Sequence, residues 1–247
     1  MITDHGTILD HAPIIVTGRD PRQAAKPLGL RERGKREKLR RIKQAAREVF
    51  RRKGYEAATT REIADRAQVA YGTLFIYARD KRDLLMMLVN DDLDALTEPA
   101  FEAALRNGPL IKQLVAFFHP RFEYWARRPE FSRYAVWEMF EFVTHGGDTG
   151  AQAERFRARR SQLVSKLAEL VLRKQASRRI EQSEDPQMIA WLFMAVYLSE
   201  NRKWLEAQKP DVRVVKDRLR RLLKLAIKGI ALDPAEWGGA ARSRKRP

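Results

Sequence analysis

An all-α fold of about nine helices is what this chain predicts, and three observations predict it. Between clusters of Pro, Gly and Asn lie segments of helix length whose apolar residues recur three and four positions apart. None alternates apolar and polar residues as a half-buried strand does. The most apolar run, Met188 to Leu198, is about half the length a bilayer-spanning helix needs, so it reads as a helix buried on most sides. At 247 residues and 44% hydrophobic content the chain can bury a sizeable core. The expected division is an N-terminal arm (1–34), a three-helix unit (35–84), a larger helical domain (85–232) and a basic tail (233–247).

Residues 1–30 show no periodicity and hold Pro13, Pro21, Pro27 and three glycines. They read as a mostly disordered arm whose Arg19, Arg22 and Lys26 could contact a DNA minor groove or backbone, although a dispensable extension or misassigned start is the plainer reading. From Lys35 the apolar positions Leu39, Ile42, Ala45, Ala46, Val49 and Phe50 give an amphipathic helix, which Gly54 should end. Thr59 followed by Glu62 is a capping box for a second helix, with Ile63, Ala64 and Ala67 on its inner face. Gln68 and Val69 form a tight turn, Ala70 to Tyr77 a short third helix, and a long helix follows from about Lys81. Pro99, Asn107-Gly108-Pro109, Arg128-Pro129, Gly146-Gly147-Asp148, Glu184-Asp185-Pro186 and Lys209-Pro210-Asp211 mark further boundaries, with a loop near 144–150.

Residues 55–85 are thus a helix, a turn, a short helix and another helix. Just before them, Arg31 to Lys53 carries 12 Lys/Arg against 3 Asp/Glu. A helix-turn-helix beside so dense a positive charge is how a protein reads double-stranded DNA: phosphates supply affinity and a small helix presents side chains to base edges. The net charge of +17 agrees, with an anionic membrane surface as second choice. The third helix has no charged residue between Val69 and Ala78. Readout must then come from Tyr71, Thr73 and the close backbone approach at Gly72.

Enzymatic readings find little. Cysteine is absent, which removes disulfides and thiolate chemistry, and no phosphate-binding glycine loop, nucleophile elbow or H-E-x-x-H is present. The histidines at 5, 11, 119 and 145 are scattered, and His119 before Pro120 suits a local cap or kink. Asp91, Asp92 and Asp94 read as a solvated helix face. No enzyme, metal or cofactor is expected.

Gly54-Tyr55, Thr59-Thr60-Arg61, Ile63-Ala64, Ala67, Val69, Gly72-Thr73-Leu74-Phe75, Tyr77, Lys81 and Leu84-Leu85 together resemble the N-terminal domain of the TetR family of bacterial transcriptional regulators. The resemblance covers roughly residues 35–90. It implies a cytoplasmic homodimer whose N-terminal helix-turn-helix domain binds an operator, and whose C-terminal helical domain binds a small-molecule effector and dimerises. It implies a phosphate contact by Thr60, a base contact by Arg61, and backbone clamps at Tyr77 and Lys81. The helix start at Thr59 also suits a phosphate. Phe75 stands where Tyr is common, removing one phosphate hydrogen bond. Ala78 replaces a usual aromatic, which should leave a gap unless Phe75 or Ile76 repacks. Ala70 and Tyr71 replace the frequent Ser-Lys pair.

By the same resemblance the aromatic stretch 110–143 helps wall a ligand pocket, with Phe118, Phe122, Trp137 and Glu138 or Glu141 approaching it, although ordinary core accounts for most aromatics there. An apolar effector, fatty-acid-like or drug-like, would suit it. The basic positions of 155–179 could attract an anionic ligand such as an acyl-CoA or extra DNA, with a solvated face the plainer reading. In the last two helices Leu192, Val196, Leu219, Leu222, Leu223 and Ala226 are candidate dimer contacts, while Lys203 and Trp204 read as peripheral. A two-fold dimer would place its recognition helices one turn of DNA apart, about 34–36 Å, on a palindromic site. Two functions fit: an effector-released repressor, and a constitutive or architectural DNA binder. An activator on the same fold is a further variant.

Overall fold

The structure, a computed structural model, describes residues 29–106, 108–144 and 150–230, the side chains of 140–144 excepted. Among these residues there are nine helices: α1 (Leu30–Ala57), α2 (Thr60–Arg66), α3 (Tyr71–Leu74), α4 (Lys81–Ala104), α5 (Leu110–Ala126), α6 (Pro129–Thr144), α7 (Ala151–Ala176), α8 (Pro186–Leu205) and α9 (Val212–Lys228). The arm through residue 28, the 145–149 loop and the tail from 231 lie outside the described residues.

Several boundaries differ from the sequence reading. The first helix begins at Leu30, so residues 30–34 are not arm; no side-chain cap marks this start, which left no local signal. Gly54 breaks the helix as expected, at φ 77°, but Tyr55 to Ala57 resume helical geometry beyond the kink. Pro99 ends nothing: α4 runs through it because Thr97, Ala100 and Phe101 are buried around it, and packing outweighs the lost backbone bond. The third helix is a single turn, with 75–77 continuing as turn.

The helix-turn-helix forms for local reasons. The Thr59 hydroxyl accepts from the Glu62 amide at 3.2 Å, capping α2. Gln68 adopts φ 53°, and the Val69 amide returns to the Ala64 carbonyl at 3.1 Å, which reverses the chain tightly. Asp80 caps α4 by accepting from the Asp83 amide at 2.7 Å. Ile42, Val49, Ile63, Leu74 and Leu84 close a small core beneath these turns.

That core is continuous with the rest of the molecule. The helix α4 starts under α2 and α3 and runs on into the larger domain, so the boundary at residues 84/85 falls inside one helix. At the centre α5 packs against α4, α6, α7 and α9, while α8 packs on α7 and α9. The helix α6 joins the two ends: its Phe131 and Tyr134 rings meet Phe50 and Tyr55 of α1 at 5.8 and 5.1 Å.

Candidate nucleic-acid interface and effector cavity

The outer surface of the helix-turn-helix is built by three exposed apolar side chains around one buried anchor. Leu74 points inward and is fully buried. Helical geometry then turns Tyr71, Phe75 and Ile76 outward, with Ile76 75% exposed. Tyr71 is held in place: Phe75 meets its ring edge-on at 5.0 Å, the Arg61 guanidinium lies 5.3 Å from its centre, and its hydroxyl is 3.3 Å from that of Thr60. Four of the candidate contact residues therefore form one cluster. Gly72 is exposed with open space around it, and Thr73 is half-buried beside it.

Arg61 lies over the Tyr71 ring rather than against the adjacent Glu62. Glu62 binds Arg52 and Lys53 instead, the latter at 2.8 Å, and the Lys53 hydrogen bond is the main cause holding its carboxyl below the usual range. Only half of the expected capping box thus forms, because the N-terminal domain's own cations draw the Glu62 side chain away from the Thr59 amide. The Ala78 gap does not open either: Ala78 is itself buried against the core, and Phe75 and Ile76 stay outside.

The two implied clamps are turned toward the protein. Lys81 Nζ donates to the Tyr55 and Glu56 carbonyls at 2.9 and 3.0 Å and lies 4.6 Å from the Tyr55 ring centre. It therefore ties α4 to the kinked end of α1, where a cation also suits the helix dipole. The Tyr77 hydroxyl donates to the Lys35 carbonyl at 3.3 Å. Ile76 was missed in the sequence; its signal is the register itself, since a buried Leu74 leaves positions 75 and 76 outside.

Residues 42–86 match the family model for bacterial regulatory proteins of the tetR family. The chain carries a TetR-family DNA-binding domain. A curated relative, the HTH-type transcriptional repressor KstR of Mycolicibacterium smegmatis, is 29% identical over 196 residues, which are 78% of this chain and 90% of that one. Among solved structures, Thermus thermophilus FadR, a TetR-family transcriptional repressor in complex with lauroyl-CoA, is 25% identical and aligns with TM-score 0.59 over 77% of this chain and 93% of its own. Bacillus subtilis FadR in complex with stearoyl-CoA shares the fold at 18% identity and TM-score 0.59, over 78% and 99% of the two chains. The chain is thus all-α, with a tetR-type helix-turn-helix domain at its N-terminal end.

The larger helical domain holds a cavity of about 570 Å³ between α4, α5, α6, α7 and α8. Its inner wall is buried and mainly apolar: Trp125, Phe156, Leu163, Met194 and Tyr197. Exposed Ser199, Arg202 and Lys203 of α8, with Glu206 just beyond its end, lie at its mouth, and Arg160 stacks 4.6 Å from the Trp191 ring nearby.

The pocket residues expected from sequence sit elsewhere. Phe118 and Phe122 are fully buried one layer behind the wall: Phe118 stacks on Tyr197 at 4.6 Å and Phe122 meets Trp204 edge-on at 5.6 Å. Trp137 is 58% exposed, and Glu138 pairs with Arg82 of α4. The Glu141 side chain is outside the described residues. Periodicity marked an apolar stripe on α5 without saying whether a neighbour or a void faces it. Trp204 is no surface residue: it is buried, its indole donating to the Asp211 carbonyl at 3.0 Å, while Lys203 joins the cavity wall.

The aspartate face of α4 is not solvated, and neither are Arg155 and Arg159 of the basic stretch, whereas its Arg173, Arg178 and Arg179 stay exposed. Arg159 is buried, and its Nη1 donates to Asn90 Oδ1 at 2.6 Å and Asp94 at 3.1 Å. Arg155 grips Asp94 and Asp91, Lys43 takes Asp91 at 2.7 Å, and Arg47 takes Asp92 at 2.7 Å. Burial pushes the Asp91 carboxyl up, but Lys43 and Arg155 outweigh it and hold it low. The three aspartates, projecting in different directions from α4, bind α1 on one side and α7 on the other.

Of the dimer candidates, Leu219 and Leu223 belong to the subunit's own core. Leu192 and Leu222 are exposed, Val196 and Ala226 half-buried. The outward apolar face also includes Met188, Trp191 and Leu225, which the sequence reading left out.

Proposed function

We propose that this chain acts as a homodimeric repressor that binds a palindromic operator and is released by a small apolar effector entering the α4–α8 cavity. The observation that carries the reading is the Tyr71–Phe75–Ile76 surface, apolar side chains held exposed beside a strongly cationic α1. A solvated protein surface gains nothing from such a cluster, whereas thymine methyl groups and base edges do. Arg61, braced on Tyr71, reaches the base edges, and Thr59 and Thr60 at the start of α2 face a phosphate. Lys81 and Tyr77 support this surface from behind and set the angle of α1 against α4.

The cavity supports effector control. Val136 and Met139 of α6 line it, while Phe131 and Tyr134 of the same helix brace α1. A ligand that prefers one position of α6 biases the N-terminal domain by its differential affinity for the two states. The bound lauroyl-CoA and stearoyl-CoA of the FadR structures support an effector with an apolar chain. The exposed face of α8 and α9 supplies the dimer contact, and no helix among the described residues is long and apolar enough to cross a membrane. We read the protein as a cytoplasmic regulator rather than an enzyme.

The test is fluorescence anisotropy of the purified chain on an operator duplex, titrated with a medium-chain acyl-CoA and with the matching alcohol. Release by either at saturable concentration supports the repressor. Tight, sequence-independent binding unmoved by both would favour the architectural reading.

A further inference from the structure

We propose that the closed end of the cavity receives the carboxylate of an apolar monocarboxylic acid, held between Arg121 and Arg159. The proposal rests on the effector reading above and specifies the ligand's chemistry and orientation.

Arg121 sits on the apolar stripe of α5, 3% exposed. Its Nη1 donates to the Phe117 carbonyl at 2.6 Å and its Nη2 to the Thr97 hydroxyl at 3.4 Å, and the guanidinium lies 4.6 Å from the Phe117 ring centre. Among the described residues no carboxylate touches it. Burial lowers its pKa to about 10, and the neighbouring positive charge of Arg159 adds to that.

Arg159 approaches the same wall from α7. Its Nη2 is buried with no hydrogen-bond partner. The acids that could neutralise this wall are already shared. Arg155 and Arg159 divide Asp94, and Arg155 and Lys43 divide Asp91. Lys43, Arg155 and Arg159 thus share two carboxylates, Asp91 and Asp94, and neither of these reaches Arg121. The partners of the two guanidiniums, Asn90 and Thr97, lie two turns apart on one face of α4, with the cavity-lining Leu93 between them.

A buried guanidinium without a counter-ion is unfavourable, and a bound anion relieves it. The planar fork of arginine matches a carboxylate bidentately, and a planar carboxylate on a hydrocarbon body suits the apolar wall around it. The remaining inner wall is hydrocarbon and aromatic, suited to the body of the acid. The reverse orientation, an anionic headgroup at the mouth and a methyl terminus within, would bury hydrocarbon against Arg121, which has no carboxylate partner among the described residues, and against the unbonded Nη2 of Arg159.

The experiment is calorimetry of the full chain with decanoate, decanol and decanoyl-CoA, repeated on Arg121→Met, with thermal melts of both ligand-free proteins. Decanoate should bind roughly ten- to a hundredfold more tightly than decanol, a preference Arg121→Met should abolish. Ligand-free Arg121→Met should melt no lower than the parent, because an uncompensated buried charge has gone; an arginine that merely holds the fold would lower it. Equal binding of decanoate and decanol by the parent overturns the proposal whether or not the variant folds. An unchanged preference in a folded Arg121→Met does so too. Operator release distinguishes this from failure of the effector reading: release by decanol or decanoyl-CoA without a decanoate preference removes the carboxylate site alone. A decanoate preference without release keeps the site and removes the effector.

Discussion

The first and seventh helices both carry many cations and dispose of them in opposite ways. Along the N-terminal part of α1 they stand in solvent, Arg36 and Arg40 pairing with Glu32 and Glu37 of the same helix across exposed surface, while Lys43 and Arg47 farther along hold Asp91 and Asp92 of α4. The exposed pairs are weak and screened, so their charges can exchange partners for phosphate at little cost. On α7, Arg155 and Arg159 are drawn under neighbouring helices onto Asp91, Asp94 and Asn90. Burial there lowers the Arg159 pKa despite the attraction of Asp94. The same residue type serves as a loose, salt-sensitive coat at one end and as a fixed element of a cavity wall at the other. Net charge alone points to the first role and hides the second.

Four substitutions would break or sharpen this contrast. The largest effect belongs to the body: Phe122→Ala should cost about 3–5 kcal/mol of stability by leaving a cavity behind the wall, seen as a lower denaturation midpoint. Because the core is continuous, the N-terminal domain should melt with it. Tyr71→Ala should leave stability unchanged and weaken operator binding by about 1–3 kcal/mol, mostly through lost discrimination between operator and scrambled duplex. Equal discrimination afterwards would show that the reading surface lies elsewhere. Next, Lys81→Met should lower stability by about 1 kcal/mol, since two carbonyls at the end of α1 lose their donor. A pure phosphate contact would weaken DNA binding with no shift in melting. Thr59→Ala should cost about 1 kcal/mol or slightly less by uncapping α2, and Thr59→Asp should restore it.

A pH effect is smaller still. Burial, aided by the nearby Glu138 and Asp80 charges, raises the Tyr55 pKa from 10.0 to about 12. A raised folded pKa means that the neutral phenol is the stabilised form. Its contribution is therefore complete below pH 10.0 and fades as pH rises toward about 12. A phenolate absorbance titration should show several tyrosines ionising late, because burial also raises Tyr124 and Tyr197 and the Glu56 hydrogen bond raises Tyr134, and Tyr55→Phe should remove one of them.

Much of the architecture was legible because local rules agree with the fold. The Thr59 cap, the Gly54 break, the turn at Gln68 and the Asp185-Pro186 start of α8 each state a boundary in a few residues. The start of α1 at Leu30 was not, since it lacks a cap, and neither was passage through Pro99, which depends on distant packing. The exposed cluster proposed to read DNA was mostly visible from register. The cavity was not, because periodicity locates an apolar stripe but not what opposes it. One signal did lie in the sequence: polar residues standing on apolar stripes, Arg121 among Leu114, Phe118 and Trp125, and Arg159 between Phe156 and Leu163. A charge in such a position is either paired inside or awaiting a ligand.

The central claim is sequence-specific operator binding by a two-fold dimer, and selection from random duplex DNA at about physiological salt tests it most directly. The account predicts a palindromic consensus whose half-sites lie about one helical turn apart, lost on Tyr71→Ala. Recovery of no consensus, with binding that fades steeply as salt rises, would contradict it and leave only the phosphate coat of α1 as the source of affinity.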